Sequence, residues 1–209
     1  MVHTHLPRAL FLNDSNNGGS AKTRNVLLVV AHADDESMFF TPTINYLTSR
    51  GHNIHILCLS NGDADGKGNT RKEELYQASA ILKVPYQHVK ILDHPDLQDG
   101  FGKLWITIYW QRLLKRKSKF LLASSQRKVE AWELVSTNIF RKYSGPVDIW
   151  FFKLYSMQCS NKMLHCLVNQ QPRKSFLAMA QHASQWVWFR KLFVAFSSCT
   201  YVNTLRKMK

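Results

Sequence analysis

NVLLVVAHADDE, residues Asn25 to Glu36, opens as an apolar run and stops abruptly at a histidine and a pair of carboxylates. Val26 to Val30 has the length and the β-branched content of a buried strand. The charged cluster then falls just past the strand's carboxyl end, where open α/β sheets bind their ligands. In a tight loop His32 and Asp35 can face one point, with Asp34 between them. Nitrogen and oxygen ligands, an open position for water and a nearby carboxylate base are what a zinc hydrolase requires. The same side chains are also of the kind that cap a following helix, and this stretch alone leaves both readings open.

Working outward, Asn53 to Leu59 predicts a second strand and Val89 to Leu92 a short third one. Between the first two strands, Glu36 to Arg50 predicts a helix, with Thr41-Pro42 as a cap and first-turn pair. Thr70-x-x-Glu73 has the form of a capping box and predicts a helix running to about Lys83. The loop SNGDADGKGN, Ser60 to Asn69, lacks the spacing of a phosphate-binding loop. Phe176 to Val202 reads as mostly helical, with Trp186, Val187, Phe189, Leu192, Phe193 and Phe196 forming an apolar face whose expected fate is core packing. Docking of that face on a membrane is the alternative.

The opening stretch resembles the His-Pro-Asp-Asp-Glu motif of the zinc-dependent sugar de-N-acetylases. The likeness continues through LCLSNGDADGKGNTRKEELYQASAILKVP, Leu57 to Pro85. Within that family the closest likeness is to the enzymes that act on N-acetylglucosaminyl-phosphatidylinositol (GlcNAc-PI) in GPI-anchor biosynthesis. The resemblance implies an α/β fold: a mostly parallel, Rossmann-like sheet with helices on both faces. It implies His32 and Asp35 as zinc ligands and Asp34 as general base, with Glu36 orienting the loop behind them. It also implies Arg71 and Asp96 as substrate-binding residues. MAQHASQWVWFRKLF resembles a late His-x-Ser-Gln element and adds His182 as a catalytic candidate and Gln185 as a substrate contact. Ala33 stands where the family has proline, which removes a fixed φ and loosens the loop.

The likeness stops after Trp105 and resumes near Val129 with VEAWELVSTNIFRKYSGPVDIW. In the family the interval supplies another core strand and a His-x-x-His element. Its second histidine is the third zinc ligand and its first helps stabilise the oxyanion. The chain is read as offering no His-x-x-His, so the sheet is expected to be short of one core strand and the zinc site incomplete. His88, His94, His165 and His182 are the histidines left to substitute.

At 209 residues and 45% hydrophobic content the chain is long and apolar enough for one domain, which excludes wholesale disorder. The expected organisation is a mobile tail over 1–24 and a single domain over 25–209, interrupted by an atypical basic segment at 106–128. The net charge is +14 and suits an anionic partner. Lys103 to Lys128 carries eight Lys and Arg and no acid, so the charge is a feature of one segment and no nucleic-acid partner is expected from it. Four cysteines without a Cys-x-x-Cys pair read as free thiols. No signal-peptide core and no apolar run of spanning length is visible. The resemblance implies GlcNAc-PI as substrate, the surface of the endoplasmic reticulum membrane as partner, and its cytosolic face as location. The competing expectation is a catalytically impaired variant acting as a binding or membrane-surface protein.

Overall fold

The computed structural model describes residues 23–63, 66–92, 130–150 and 164–208. Residues 1–22 of the expected tail, Asp96 and the segment at 106–128 lie outside them.

Three parallel strands carry the amino-terminal half: β1 (Asn25–Val30), β2 (Asn53–Cys58) and β3 (Val89–Ile91), in the order β1-β2-β3. Val30 pairs with Cys58 and Cys58 with Ile91, so all three strands end at one edge. Their connections are helical, as parallel pairing demands. The predicted helix over Glu36 to Arg50 is two helices, α1 (Asp35–Phe39) and α2 (Thr41–Ser49). Thr41 does not cap α2 but lies inside it, and its hydroxyl donates to the Ser37 carbonyl at 2.9 Å. The break is satisfied from far away. The fully buried Asn203 donates to the Phe39 carbonyl at 2.8 Å and accepts from the Thr43 amide at 3.2 Å and the Thr43 hydroxyl at 2.7 Å.

α3 (Gly68–Ile81) starts two residues before Thr70, so the expected capping box does not form. The Gly68 amide instead donates to Asp63 Oδ1 at 2.6 Å. A Cβ on Gly68 would lie 2.8 Å from Asn61 Nδ2 and 2.9 Å from Asp63 Cβ, so glycine is what lets the loop close on the helix start.

The carboxyl-terminal half adds an antiparallel sheet in the order β4-β6-β5, from β4 (Trp132–Leu134), β5 (Leu164–Val168) and β6 (Val202–Lys207). The fold is α/β, and this antiparallel part is beyond what the sequence reading anticipated. The two halves share one core: Ile44 and Leu47 of α2 pack with Ile56 of β2 and Leu75 of α3, and also with Leu167 of β5 and Leu205 of β6.

The stretch expected to be mostly helical comprises α5 (Pro172–Gln181), a 3-10 turn at Ala183–Gln185, and α6 (Trp188–Phe196), before the chain enters β6. α4 (Ile139–Lys142) precedes β5 and lies against α6, with the Tyr143 and Phe193 rings 6.2 Å apart, edge to face. The expected core-facing aromatic stripe is mostly not in the core. Phe193 is buried, whereas Val187, Phe189, Leu192 and Phe196 are exposed. No helix among the described residues is long and apolar enough to cross a membrane.

Candidate active site

β1 delivers its chain into the interior at Val30, and Ala31 to Glu36 must turn there without leaving polar groups unsatisfied. Asp35 Oδ2 accepts the amides of Ala31 at 3.1 Å and His32 at 3.0 Å, folding the carboxylate back over the loop. Asp34 has φ 119°, a conformation that non-glycine residues rarely adopt and one that stores strain. Two features hold it. Its amide donates to Glu36 Oε2 at 3.0 Å, and its carbonyl accepts from Ser37 and Met38 at 3.1 and 2.9 Å.

His32, Asp34 and Asp35 thus converge at the carboxyl end of β1. His32 Nδ1 and Asp35 Oδ2 are 3.9 Å apart, within the ~4 Å ceiling for two donors that each sit about 2 Å from one ion. Asp34 is buried and forms an ion pair with Arg190 of α6. Burial pushes the Asp34 carboxyl up to about 7, against the pull of Arg190 and with the help of the neighbouring Asp35 and Glu36 charges. Asp35 is also raised by burial, opposed by the His32 amide it accepts.

Glu36 is fully buried and does not face the opening. Its Oε1 takes the Ser37 hydroxyl at 2.7 Å and lies 2.7 Å from His182 Nε2. Burial pushes both groups toward neutrality, yet the pairing wins: Glu36 is lowered and His182 raised. They form a buried ion pair. His182 is completely buried at the end of α5, where the helix stops and the 3-10 turn begins. The structure does not bring His182 to the His32–Asp35 pair as a third donor. Among the described residues no group of three His, Cys, Asp or Glu side chains could hold a metal.

One His-x-x-His does occur earlier in the chain, as His52-Asn53-Ile54-His55. It sits at the amino-terminal start of β2, the far end of the parallel sheet from the loop. His55 stacks there on His88, with ring centroids 4.1 Å apart. His165 lies on β5 beside the Trp132 ring, 4.7 Å away. None of these replaces the missing histidine.

Arg71 is not an open substrate clamp. It is buried, with Nη1 donating to the Gly62 carbonyl at 3.0 Å and Nη2 to the Ala33 carbonyl at 2.9 Å. The guanidinium joins the loop after β1 to the loop after β2, and it holds the carbonyl of Ala33, where the loss of proline had suggested looseness. Gly62 has φ +70°, and a Cβ there would stand 1.9 Å from Arg71 Nη1. Gln185 lies in the 3-10 turn with Nε2 3.4 Å from the Ser184 hydroxyl, a contact at the limit of hydrogen bonding.

Two participants escaped the sequence reading. Glu74 accepts the Ser184 amide at 2.7 Å and the Ser184 hydroxyl at 2.6 Å, docking the segment after His182 on α3. Its signal was present: Arg71, Glu74, Leu75 and Ala78 fall at i, i+3, i+4 and i+7, so two charges lie on the inward stripe. The second is Arg190, which lies within the aromatic run of α6 and pairs with Asp34.

A strand, a strained His-x-Asp-Asp-Glu loop, and a late histidine locked to its glutamate are an arrangement that relatives can place. Residues 27–121 match the family model "PIG-L: GlcNAc-PI de-N-acetylase". A probable N-acetylglucosaminyl-phosphatidylinositol de-N-acetylase of Schizosaccharomyces pombe is 30% identical over 227 residues, covering 93% of this chain and 92% of that protein. One of the same name from Dictyostelium discoideum is 28% identical over 254 residues, covering 95% and 98%. Among solved structures, the 4-carboxy-2-hydroxymuconate hydratase GalB of Pseudomonas putida superposes with a TM-score of 0.55 at 13% identity, covering 90% of this chain and 97% of that one. The N,N'-diacetylchitobiose deacetylase of Pyrococcus horikoshii gives 0.50 at 15%, covering 88% and 83%. At such identities these two establish the fold alone. The hydratase and the deacetylase share it, so the assignment rests on the relatives that align along nearly the whole length. By that alignment the chain belongs to the N-acetylglucosaminyl-phosphatidylinositol de-N-acetylase family.

Proposed function

We propose that the chain hydrolyses the N-acetyl group of GlcNAc-PI, releasing acetate and leaving a glucosamine amine, in GPI-anchor biosynthesis at the cytosolic face of the endoplasmic reticulum membrane. The observation that carries this reading is Asp34: a buried carboxylate at the carboxyl end of β1, raised to about 7, in a chain of this family. A base with that pKa is half ionised near neutral pH and takes a proton efficiently there. Water attacks the acetyl carbonyl carbon while Asp34 accepts its proton. The tetrahedral intermediate then expels the sugar nitrogen, which takes back the proton held by Asp34 as the C–N bond breaks. Arg190 beside Asp34 favours the ionised form before attack. Glu36 and His182 act behind the reacting groups, and we assign His182 to positioning through Glu36 rather than to direct proton transfer. Arg71 positions the two loops.

His32 and Asp35 are the pair that would hold zinc, whose contribution in such hydrolases is to acidify bound water and polarise the carbonyl. Two donors do not make up the three that catalytic zinc sites use, so the described residues do not fit a complete zinc centre. That observation favours a second reading, a variant of low turnover.

The test is acetate release from GlcNAc-PI by the purified chain with zinc added. Turnover that falls at least about a hundredfold in Asp34→Asn supports the assignment. No acetate release between mildly acidic and mildly basic pH would overturn it in favour of the non-catalytic reading, and full activity in Asp34→Asn would remove Asp34 as the base.

A further inference from the structure

α6 is an amphipathic helix mounted the unusual way round. Arg190, Phe193 and Val194 fall at i, i+3 and i+4 and form its inner stripe, so its arginine points inward to Asp34. Trp188, Phe189, Leu192 and Phe196 form the outer stripe, and Trp188 is 72% exposed. A large aromatic facing water forfeits the stabilisation that its burial would bring. α4 packs beside α6 through the inner residue Phe193, whose ring lies 5.2 Å from Lys142 Nζ and meets Tyr143 edge-on. It adds Ile139 and Phe140, the latter 86% exposed.

The charged side chains of α4 and α6 are all basic: Arg141, Lys142, Arg190 and Lys191. The acids that meet them are Asp34, paired with Arg190, and Asp148. Asp148 is itself buried and bonded to Arg141, with Arg141 Nε 2.5 Å from its Oδ1. Lys191 is exposed between the outer aromatics and reaches over the Trp186 ring at 5.6 Å. Tryptophan and phenylalanine interleaved with lysine, with no exposed carboxylate on either helix, is the composition of a surface that lies in the interface of an anionic bilayer.

We propose that α4 and α6 together form a face that docks on an anionic phospholipid surface. Since α6 also carries Arg190, docking sets the Asp34 site at the lipid–water boundary. The purpose of such a face rests on the lipid-substrate reading above, but its detection does not.

The full chain is mixed with phosphatidylcholine vesicles, with and without phosphatidylinositol, and bound protein is measured by sedimentation. Binding to the phosphatidylinositol vesicles is expected to exceed binding to the neutral ones at least about tenfold at low salt and to weaken as salt is added. The triple variant Trp188→Ser, Phe189→Ser, Phe140→Ser loses binding by at least about tenfold, since the apolar area entering the interface is gone. These side chains are already exposed, so thermal unfolding should stay near that of the parent. Lys191→Glu reduces the preference for phosphatidylinositol. Tyr86→Ser, which removes an exposed aromatic at the opposite end of the parallel sheet, leaves binding unchanged. Equal binding to neutral and anionic vesicles, or undiminished binding by the triple variant, overturns the proposal. A second arm measures acetate release from water-soluble N-acetylglucosaminyl-inositol phosphate. Retained turnover there with loss on vesicles supports docking. Vesicle binding by a parent that deacetylates neither substrate would leave docking standing and remove the enzymatic reading instead.

Discussion

Asp34 sets activity and stability against each other. Its folded pKa of about 7 lies above the ordinary carboxylate value of 3.8. The native state therefore holds this proton more tightly, and the stability it contributes is full below 3.8 and lost as pH rises through about 7. As a base Asp34 works only when ionised, so kcat/KM should fall about tenfold per pH unit on the acid side of 7. A flat acid limb between pH 5 and 7 would remove Asp34 from that role. Asp34→Asn should destroy activity while leaving the chain at least as stable as the parent at pH 8, measured by urea unfolding. The Glu36–His182 pair behaves differently. Lowered Glu36 contributes stability above 4.5, lost as pH falls through its lower folded value; raised His182 contributes below 6.5, lost as pH rises through its higher one. Both contributions are complete only between 4.5 and 6.5. Glu36→Gln strands a buried imidazolium and should lower unfolding free energy by about 3–5 kcal/mol at pH 6. A loss under about 1 kcal/mol would mean that the pair is neutral.

At the scale of elements, the loop after β1 keeps its shape because other loops and helices hold it. Arg71 ties Ala33 to Gly62, and a methyl on Gly62 would both strain a φ of +70° and push the guanidinium away. Gly62→Ala should therefore reduce kcat/KM about as much as Arg71→Ala. The double variant should be little worse than either single one, within about 0.5 kcal/mol, because both act through the same contact. Fully additive losses would separate the two residues. The sequence made β1, β2 and the His32–Asp35 cluster legible, since an apolar run ending in charge has few meanings at that length. The Glu36 to Arg50 helix was legible only as a whole: its break at Phe40 depends on Asn203, which no local pattern connects to it. The capping box at Thr70 failed because Asp63 met the helix start first. The Phe176 to Val202 run was misread as core because periodicity identifies an apolar stripe but not the direction it faces. In α6 the arginine turned inward and the aromatics out.

At the scale of the molecule, the acid–base part of the site is assembled, while among the described residues its metal part is short of donors. Zinc content after dialysis should therefore fall well below one per chain, whereas a family member with the complete site should keep one. One zinc retained per chain would refute this and assign the third donor to a residue beyond the described ones. The site is also drawn from both ends of the sequence: Glu36 and His182 are 146 residues apart, and Asp34 and Arg190 are 156 apart. Contacts of such separation form late, because closing long loops takes entropy that only the finished packing returns. On the ribosome, at 5–20 residues per second, roughly 7–30 s pass between the emergence of Glu36 and that of its histidine. Throughout that interval the strained loop has neither its glutamate's counter-ion nor the arginine at its base. The nascent amino-terminal half thus carries three clustered carboxylates without the histidine and the arginine that pair with two of them in the finished fold.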